Sequence, residues 1–261
     1  MKNSRLLLAA LAALLLAVAA PAQTALDTAA AALKAGDLAA ADAALTPLAA
    51  GAQPDPAALH LLSQVRLAQK NPKDAAALAE KAAQLAPDHA DYHAQLGLAL
   101  SARMPELGFM QQAMVAGKMR KAFEKAVELD PRNLNALIGL ARYFANAPEI
   151  AGGSLAKAAE FAERVKAVQP FLGESELGRI AERGEKPDAA LAHYAAAAEL
   201  KPDAAGAQFN CGRLLARLGR PDEARTRLET ALRLKPDFDA AKKLLAELAG
   251  TPAAPAPQAH R

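Results

Sequence analysis

One phrase recurs along this chain at a fixed interval. Pro202 and Pro236 stand 34 residues apart, and the same step separates Gly178 from Gly212, Ala190 from Ala224 and Ala197 from Ala231. Each copy ends alike, as in Lys81-Ala-Ala-Gln-Leu-Ala-Pro87, Ala197-Ala-Glu-Leu-Lys-Pro202 and Ala231-Leu-Arg-Leu-Lys-Pro236. The fullest version is Lys118–Pro131, where Ala122, Phe123, Ala126, Val127 and Leu129 fall on one stripe at helical spacing. Proline then ends the helix, because it has no N–H to donate and disfavours helical geometry in the residue before it. A unit this short and this rich in alanine cannot bury its apolar stripe alone, so its copies must stack on one another.

The composition agrees. Of the 261 residues 52% are apolar, mostly Ala and Leu, and tryptophan is absent, so strong helix formers outweigh the β-branched residues that favour strands. An all-α chain follows. The formal charge is +3, and leaving out Lys2 and Arg5 brings it to +1, a balance that by itself gives no footing for a nucleic-acid or membrane role.

Met1–Ala22 has the parts of a secretory leader: Lys2 and Arg5 as the positive start, Leu6–Ala20 as the apolar core, and Ala20-Pro21-Ala22 as a small-residue cleavage site before Gln23. The apolar run is shorter than the ~20 residues that span a bilayer, so cleavage after Ala22 and a periplasmic or secreted address are expected. A membrane would be involved only if the leader stayed uncleaved. Cys211 is the single cysteine, which rules out an intramolecular disulfide; beside Phe209, Leu214 and Leu215 it reads as a packed core residue rather than a reactive thiol.

Taken in order, the chain divides into helix pairs at about 23–55, 56–89, 90–133, 134–170, 171–204 and 205–238. A lone helix over 239–249 caps the series, and a flexible Pro/Ala tail runs over 250–261. Asp88 is the expected N-cap of the third pair, and Gly184 and Gly219 end their helices. Pro187 and Pro221 sit in the first helical turn, where proline is tolerated. Two inserts interrupt the period. Arg103–Gly117 is an expanded turn in which Phe109, Met110, Met114 and Val115 have room for a further helical turn or two and are expected to pack over neighbouring helices, an adaptable Met-lined contact surface being the alternative. Pro148–Ser154 is a connector ending on a good N-cap.

Position for position the period resembles the tetratricopeptide repeat, which places Leu-Gly at positions 7 and 8, a small residue at 20, an aromatic near 24, Ala at 27 and Pro at 32. The fifth repeat offers Leu177-Gly178, Ala190, Tyr194, Ala197 and Pro202; the third Leu96-Gly97, Phe123, Ala126 and Pro131; the sixth Cys211-Gly212, Ala224, Ala231 and Pro236. The second has Leu62-Ser63, with Ser in place of Gly, and no repeat has Trp at position 4. The inserts also look like those of uncharacterised exported bacterial members of this family. The resemblance implies an α-α superhelix, a solenoid of about six helix-turn-helix repeats, that binds a protein or peptide and performs no catalysis.

In that family the first helix of each pair lines a groove. Its groove positions here hold Arg142, Arg179 and Arg213 at position 9, Arg183 and Arg217 at position 13, and Asn210 as a neutral donor. A ladder of guanidinium groups suits acidic or C-terminal-carboxylate segments; the opposing expectation is that Glu176 and Glu182 neutralise it in a solvated face. The chaperone-binding clamp of some relatives is not reproduced beyond Asn210. His89 and His93, spaced i, i+4 beside Asp88 and Asp91, raise a metal-binding or enzyme-accessory alternative, but two ligands do not make a tight site. No metal or other cofactor is expected. No phosphate loop, nucleophile triad or isolated carboxylate pair points to catalysis.

Overall fold

The computed structural model describes residues 22–250. The leader expected over Met1–Ala22 lies outside them except for Ala22, as does the tail beyond Gly250. Every regular element among the described residues is helical: α1 (22–35), α2 (Leu38–Ala49), α3 (Pro56–Ala68), α4 (Pro72–Leu85), α5 (Ala90–Arg103), α6 (Phe109–Leu129), α7 (Leu134–Asn146), α8 (Leu155–Val168), α9 (Pro170–Arg183), α10 (Pro187–Leu200), α11 (Ala205–Arg217), α12 (Pro221–Leu234) and α13 (Asp239–Gly250), with short 3-10 turns at Met104–Glu106 and Glu149–Ala151. The class is therefore the expected one: an all-α solenoid of paired helices forming about six repeats, with a final capping helix.

The chain divides into two compact units between Gly139 and Leu140. In the first, Ala29, Ala41, Leu45, Ala58, Leu62 and Val65 form a core shared by α1, α2 and α3, and α4 carries the stack on to α5. In the second, α9 packs on both α8 and α10, α10 on α11, and α13 closes the end against α11 and α12 through buried Ala241 and the Phe209–Phe238 ring contact at 4.8 Å.

Both units use one joint. The ring of Phe123 fills space that only glycine leaves open: a Cβ at Gly97 or at Gly139 would lie 2.4 Å from it. In the second unit Tyr194 does the same against Gly178 (2.6 Å). Where the motif has Ser63 for glycine, the buried hydroxyl donates to the Ala75 carbonyl (2.9 Å) and accepts from Gln95 (3.0 Å), so it leaves no unpaired group in the core. Cys211 is buried among Ala190, Tyr194 and Leu214, and that burial pushes its thiol up, as befits a packing residue.

The helix starts follow the local chemistry. Pro72, Pro187 and Pro221 stand at the first helical turn, and Asp55, Asn71 and Ser154 accept backbone N–H groups of the turns they precede. Two sequence expectations need correction. His89, not Asp88, caps α5, and it makes no side-chain cap bond; its ring stacks instead on Tyr92 (4.0 Å, 8° between planes). Gly184 ends α9 as expected, as its C-cap, but the left-handed residue of that turn is the next one. That conformation falls on Glu185 (φ 55°), one period before Gly219 (φ 71°), just as Lys70 (φ 59°) stands one period after Gly36 (φ 80°). The turn fixes the position and the sequence meets it with glycine only twice.

The second correction concerns the first insert. Residues 104–108 form the expanded turn, and from Phe109 the insert is helical and opens α6, which runs unbroken for 21 residues where α4 has 14. Gln112 ties its beginning down by donating to the carbonyls of Met104 (3.2 Å) and Leu107 (2.9 Å). Phe109, Met110 and Met114 do not pack over neighbours; they are 83%, 76% and 78% exposed. The helical phase explains Met110 and Met114, which point away from the residues that bury α6, Met119, Ala122, Phe123 and Ala126; Phe109 lies near the phase of Phe123 and is exposed at the very start of the helix. The second insert behaves as the connector expected, closed by Ser154 N–H to the Phe144 carbonyl (2.8 Å) and by the Tyr143 hydroxyl to the Ala151 carbonyl (2.7 Å).

Candidate functional site: an arginine-lined groove in the second unit

The six residues placed in the groove by sequence all belong to the second unit and come from α7, α9 and α11, the first helices of their pairs. Their side chains project from one side of these helices because groove positions recur at helical spacing. An open groove of about 620 Å³ is lined by Arg179, Glu182, Arg183, Glu185, Tyr194, Asn210, Arg213 and Arg217. A smaller one of about 140 Å³ adjoins it through Arg179 and Arg183, and brings in Arg142, Asn146 and Glu176.

Two glutamates organise these arginines. Glu182 sits at the centre of the larger groove. Its Oε2 accepts from the Tyr194 hydroxyl (2.6 Å) and from Arg213 (2.5 Å); its Oε1 accepts from Arg213 (3.1 Å) and Arg217 (2.6 Å). Burial alone would push the Glu182 carboxyl up, but hydrogen bonds from Arg213 and Tyr194 and the charges of Arg213 and Arg217 outweigh it and hold it below the usual carboxylate range. The Tyr194 hydroxyl is pushed up, first by burial and then by its bond to Glu182. Glu176 is nearly fully buried and accepts from Arg142 through Nε (3.0 Å) and a terminal nitrogen (2.5 Å). So the neutralising carboxylates are in place, and the arginines are not a bare ladder.

Neutralisation is incomplete. The larger groove holds four arginines against two glutamates, an excess of two positive charges. Arg179 comes no closer than 3.7 Å to the Glu176 carboxylate, beyond hydrogen-bond reach. Arg183 donates its Nε to the Ala145 carbonyl (3.1 Å), and its terminal nitrogens meet no acceptor among the described residues. Asn210, half-buried on α11, presents its amide to the groove. Sequence reasoning missed Tyr194 as a groove residue. The only signal was a tyrosine where the third repeat has Phe123, one hydroxyl that a packing role does not need.

The histidine pair does not come together as a ligand set. His93 Nε2 donates to the Pro87 carbonyl (2.7 Å) while His89 stacks on Tyr92. Among the described residues no three metal-ligating side chains converge.

Residues 183–248 match the tetratricopeptide repeat family model. Solved structures extend the likeness over most of the chain. A thermophilic tetratricopeptide protein of Thermus thermophilus is 18% identical and covers 75% of this chain and 99% of its own, with a TM-score of 0.60. A tetratricopeptide repeat protein of Parabacteroides merdae is 13% identical, covers 87% and 84%, and scores 0.66. The chain has the tetratricopeptide-repeat fold. PilW, a widely conserved type IV pilus biogenesis factor, shares that fold at 16% identity, with 86% of this chain and 98% of its own covered and a TM-score of 0.68. No curated protein matches in sequence. In the tetratricopeptide fold, then, the groove of the second unit is built from the helices whose exposed faces the stacking leaves open.

Proposed function

We propose that this chain is a non-catalytic protein-binding scaffold whose arginine-lined groove takes an acidic segment or a C-terminal carboxylate from its partner. One observation carries the reading: Arg179, Arg183 and Asn210 keep donor capacity in an open groove whose charge excess is positive. A planar guanidinium matches a carboxylate with two parallel bonds, and a concave wall strengthens the field. Glu182 and Glu176 meanwhile hold Arg213, Arg217 and Arg142 in fixed poses, which lowers the ordering cost of binding.

The test is fluorescence polarisation with a labelled peptide of alternating Glu and Ala, free or amidated at its C-terminus, at low and high salt. Arg179→Glu with Arg183→Glu should weaken binding by at least about tenfold, ~1.4 kcal/mol. Unchanged affinity in that variant would remove the groove from the proposal.

The address we propose is the periplasm or the exterior, after cleavage behind Ala22, which rests on the charged start and apolar core of residues 1–22. N-terminal sequencing of the exported protein should begin at Gln23. A chain that keeps its leader would be a membrane-tethered scaffold instead.

A further inference from the structure

The first two turns of α6 present a surface that neither the fold nor the groove uses. Phe109, Met110 and Met114 stand out from the helix, with Ala113 and Gly117 between them on the same face, and no charged residue occurs from Leu107 to Gly117. Three large apolar side chains so fully wetted at adjoining positions are uncommon on a soluble surface. Charge gathers around them. From Arg103 to the end of α6 at Leu129 the chain carries Arg103, Lys118, Arg120, Lys121 and Lys125 against Glu106, Glu124 and Glu128, a net +2, with Lys125 held by Glu128 at 2.8 Å. Glu80 holds Lys118 at 2.7 Å, while Lys121 is exposed on the outer side of the helix.

We propose that this tip of α6 docks on an anionic lipid surface, with Phe109, Met110 and Met114 entering the interface and the basic residues behind them facing the headgroups. The chemistry distinguishes this occupant from others. A protein partner needs about 800 Å² per side in close complementarity; three side chains protruding from a convex helix cover about half of that or less and offer no pocket. A bilayer asks for no complementary shape. It takes up apolar side chains at the acyl boundary and attracts the cations at its headgroups. Pairing of the tip with a second copy of itself would bring two net-positive segments together, which is unfavourable. None of the described helices is long and apolar enough to cross a membrane, so the contact would be peripheral.

The absence of tryptophan supplies a clean reporter. Phe109→Trp in the full chain places the sole indole at the tip. Its emission should shift to the blue on adding vesicles of phosphatidylcholine with phosphatidylglycerol, and return on adding salt. Adding Lys121→Glu should require about tenfold more of these vesicles for the same shift, and Met110→Ser with Met114→Ser should abolish it. Ile150→Trp, at a fully exposed site in the second unit, should not shift, which separates the tip from any membrane binding by the leader. The proposal is overturned by no shift at Phe109→Trp, by an equal shift with phosphatidylcholine alone, or by an equal shift at Ile150→Trp. It is also overturned if the emission moves with protein concentration in the absence of vesicles, which would assign the tip to a second copy.

Discussion

Phe123 in the first unit and Tyr194 in the second fill the same place in the repeat, each with its ring over a glycine that has no room for a side chain. They differ by one hydroxyl. Phe123 is dry, fully buried and does nothing but pack. Tyr194 packs as tightly and also donates to Glu182, so the joint that holds two helices also sets the pose of a groove carboxylate and, through it, of Arg213 and Arg217. The units differ likewise in how they treat a buried titratable group. Glu182 has four donors on two oxygens. His60 in the first unit accepts from the Gln64 amide at Nε2 (2.8 Å), which leaves the ring proton on Nδ1, buried and without a partner among the described residues. The Glu182 carboxylate is completed and serves the groove, whereas one ring nitrogen of His60 is left incomplete.

The largest test of this contrast is Phe123→Ala. It should cost about 3–5 kcal/mol, because the cavity lies between two glycines with nothing able to fill it, and urea unfolding with hydrogen exchange read on α5 and α6 would show it. A loss under about 1 kcal/mol would mean the joint is not what holds these hairpins.

Acid should separate the units next. Burial pushes the His60 imidazole down to about 4 from 6.5, with His89 adding to that and Asp91 opposing it. A histidine with a depressed value destabilises the fold only as it is forced to take up a proton. Stability is therefore intact above pH 6.5 and falls towards pH 4 by about 3 kcal/mol. Glu182 has the opposite dependence: its carboxyl is depressed, so its contribution is whole above its ordinary 4.5 and is lost only as pH falls through the lower folded value. Hydrogen exchange at pH 5 should show α3 and α5 loosened while α9 to α11 stay protected, and His60→Gln should flatten that slope.

Tyr194→Phe converts the second joint into the first. It should cost about 1.5–3 kcal/mol, the range for a hydrogen bond to a charged group, and should weaken capture of the acidic peptide as well, since Glu182 then holds Arg213 and Arg217 less firmly. An unchanged affinity would confine Tyr194 to packing. Smallest of all, Lys70→Gly should stabilise the first unit by about 1 kcal/mol, because φ 59° strains any residue with a Cβ. Thermal unfolding would register it.

The period of 34, the joint glycines and the terminal prolines made the all-helical class and the pairing legible in the sequence, since each is a local requirement that residue type alone expresses. The groove was legible in part. Helical phase put Arg142, Arg179, Arg183, Asn210, Arg213 and Arg217 on one side, and Glu176 and Glu182 could be named as neutralisers. Which donor meets which oxygen could not, because Arg213 and Glu182 lie 31 residues apart and their contact depends on how α9 and α11 stack. The first insert was misjudged for a related reason. Its apolar residues resemble core by composition, but Met110 and Met114 point away from the face used by Met119, Phe123 and Ala126 further along the same helix, and Phe109, near that face, sits at a helix start left uncovered.

By itself, then, the sequence determined what is local and periodic: helices, their stops, and the glycines where a ring must enter. Only the tertiary structure decided which arginines keep unpaired donors, that a tyrosine joins packing to the groove, and that Phe109, Met110 and Met114 meet water. Those outcomes depend on distances between residues far apart in the chain, and residue types specify such distances only once the helices have packed.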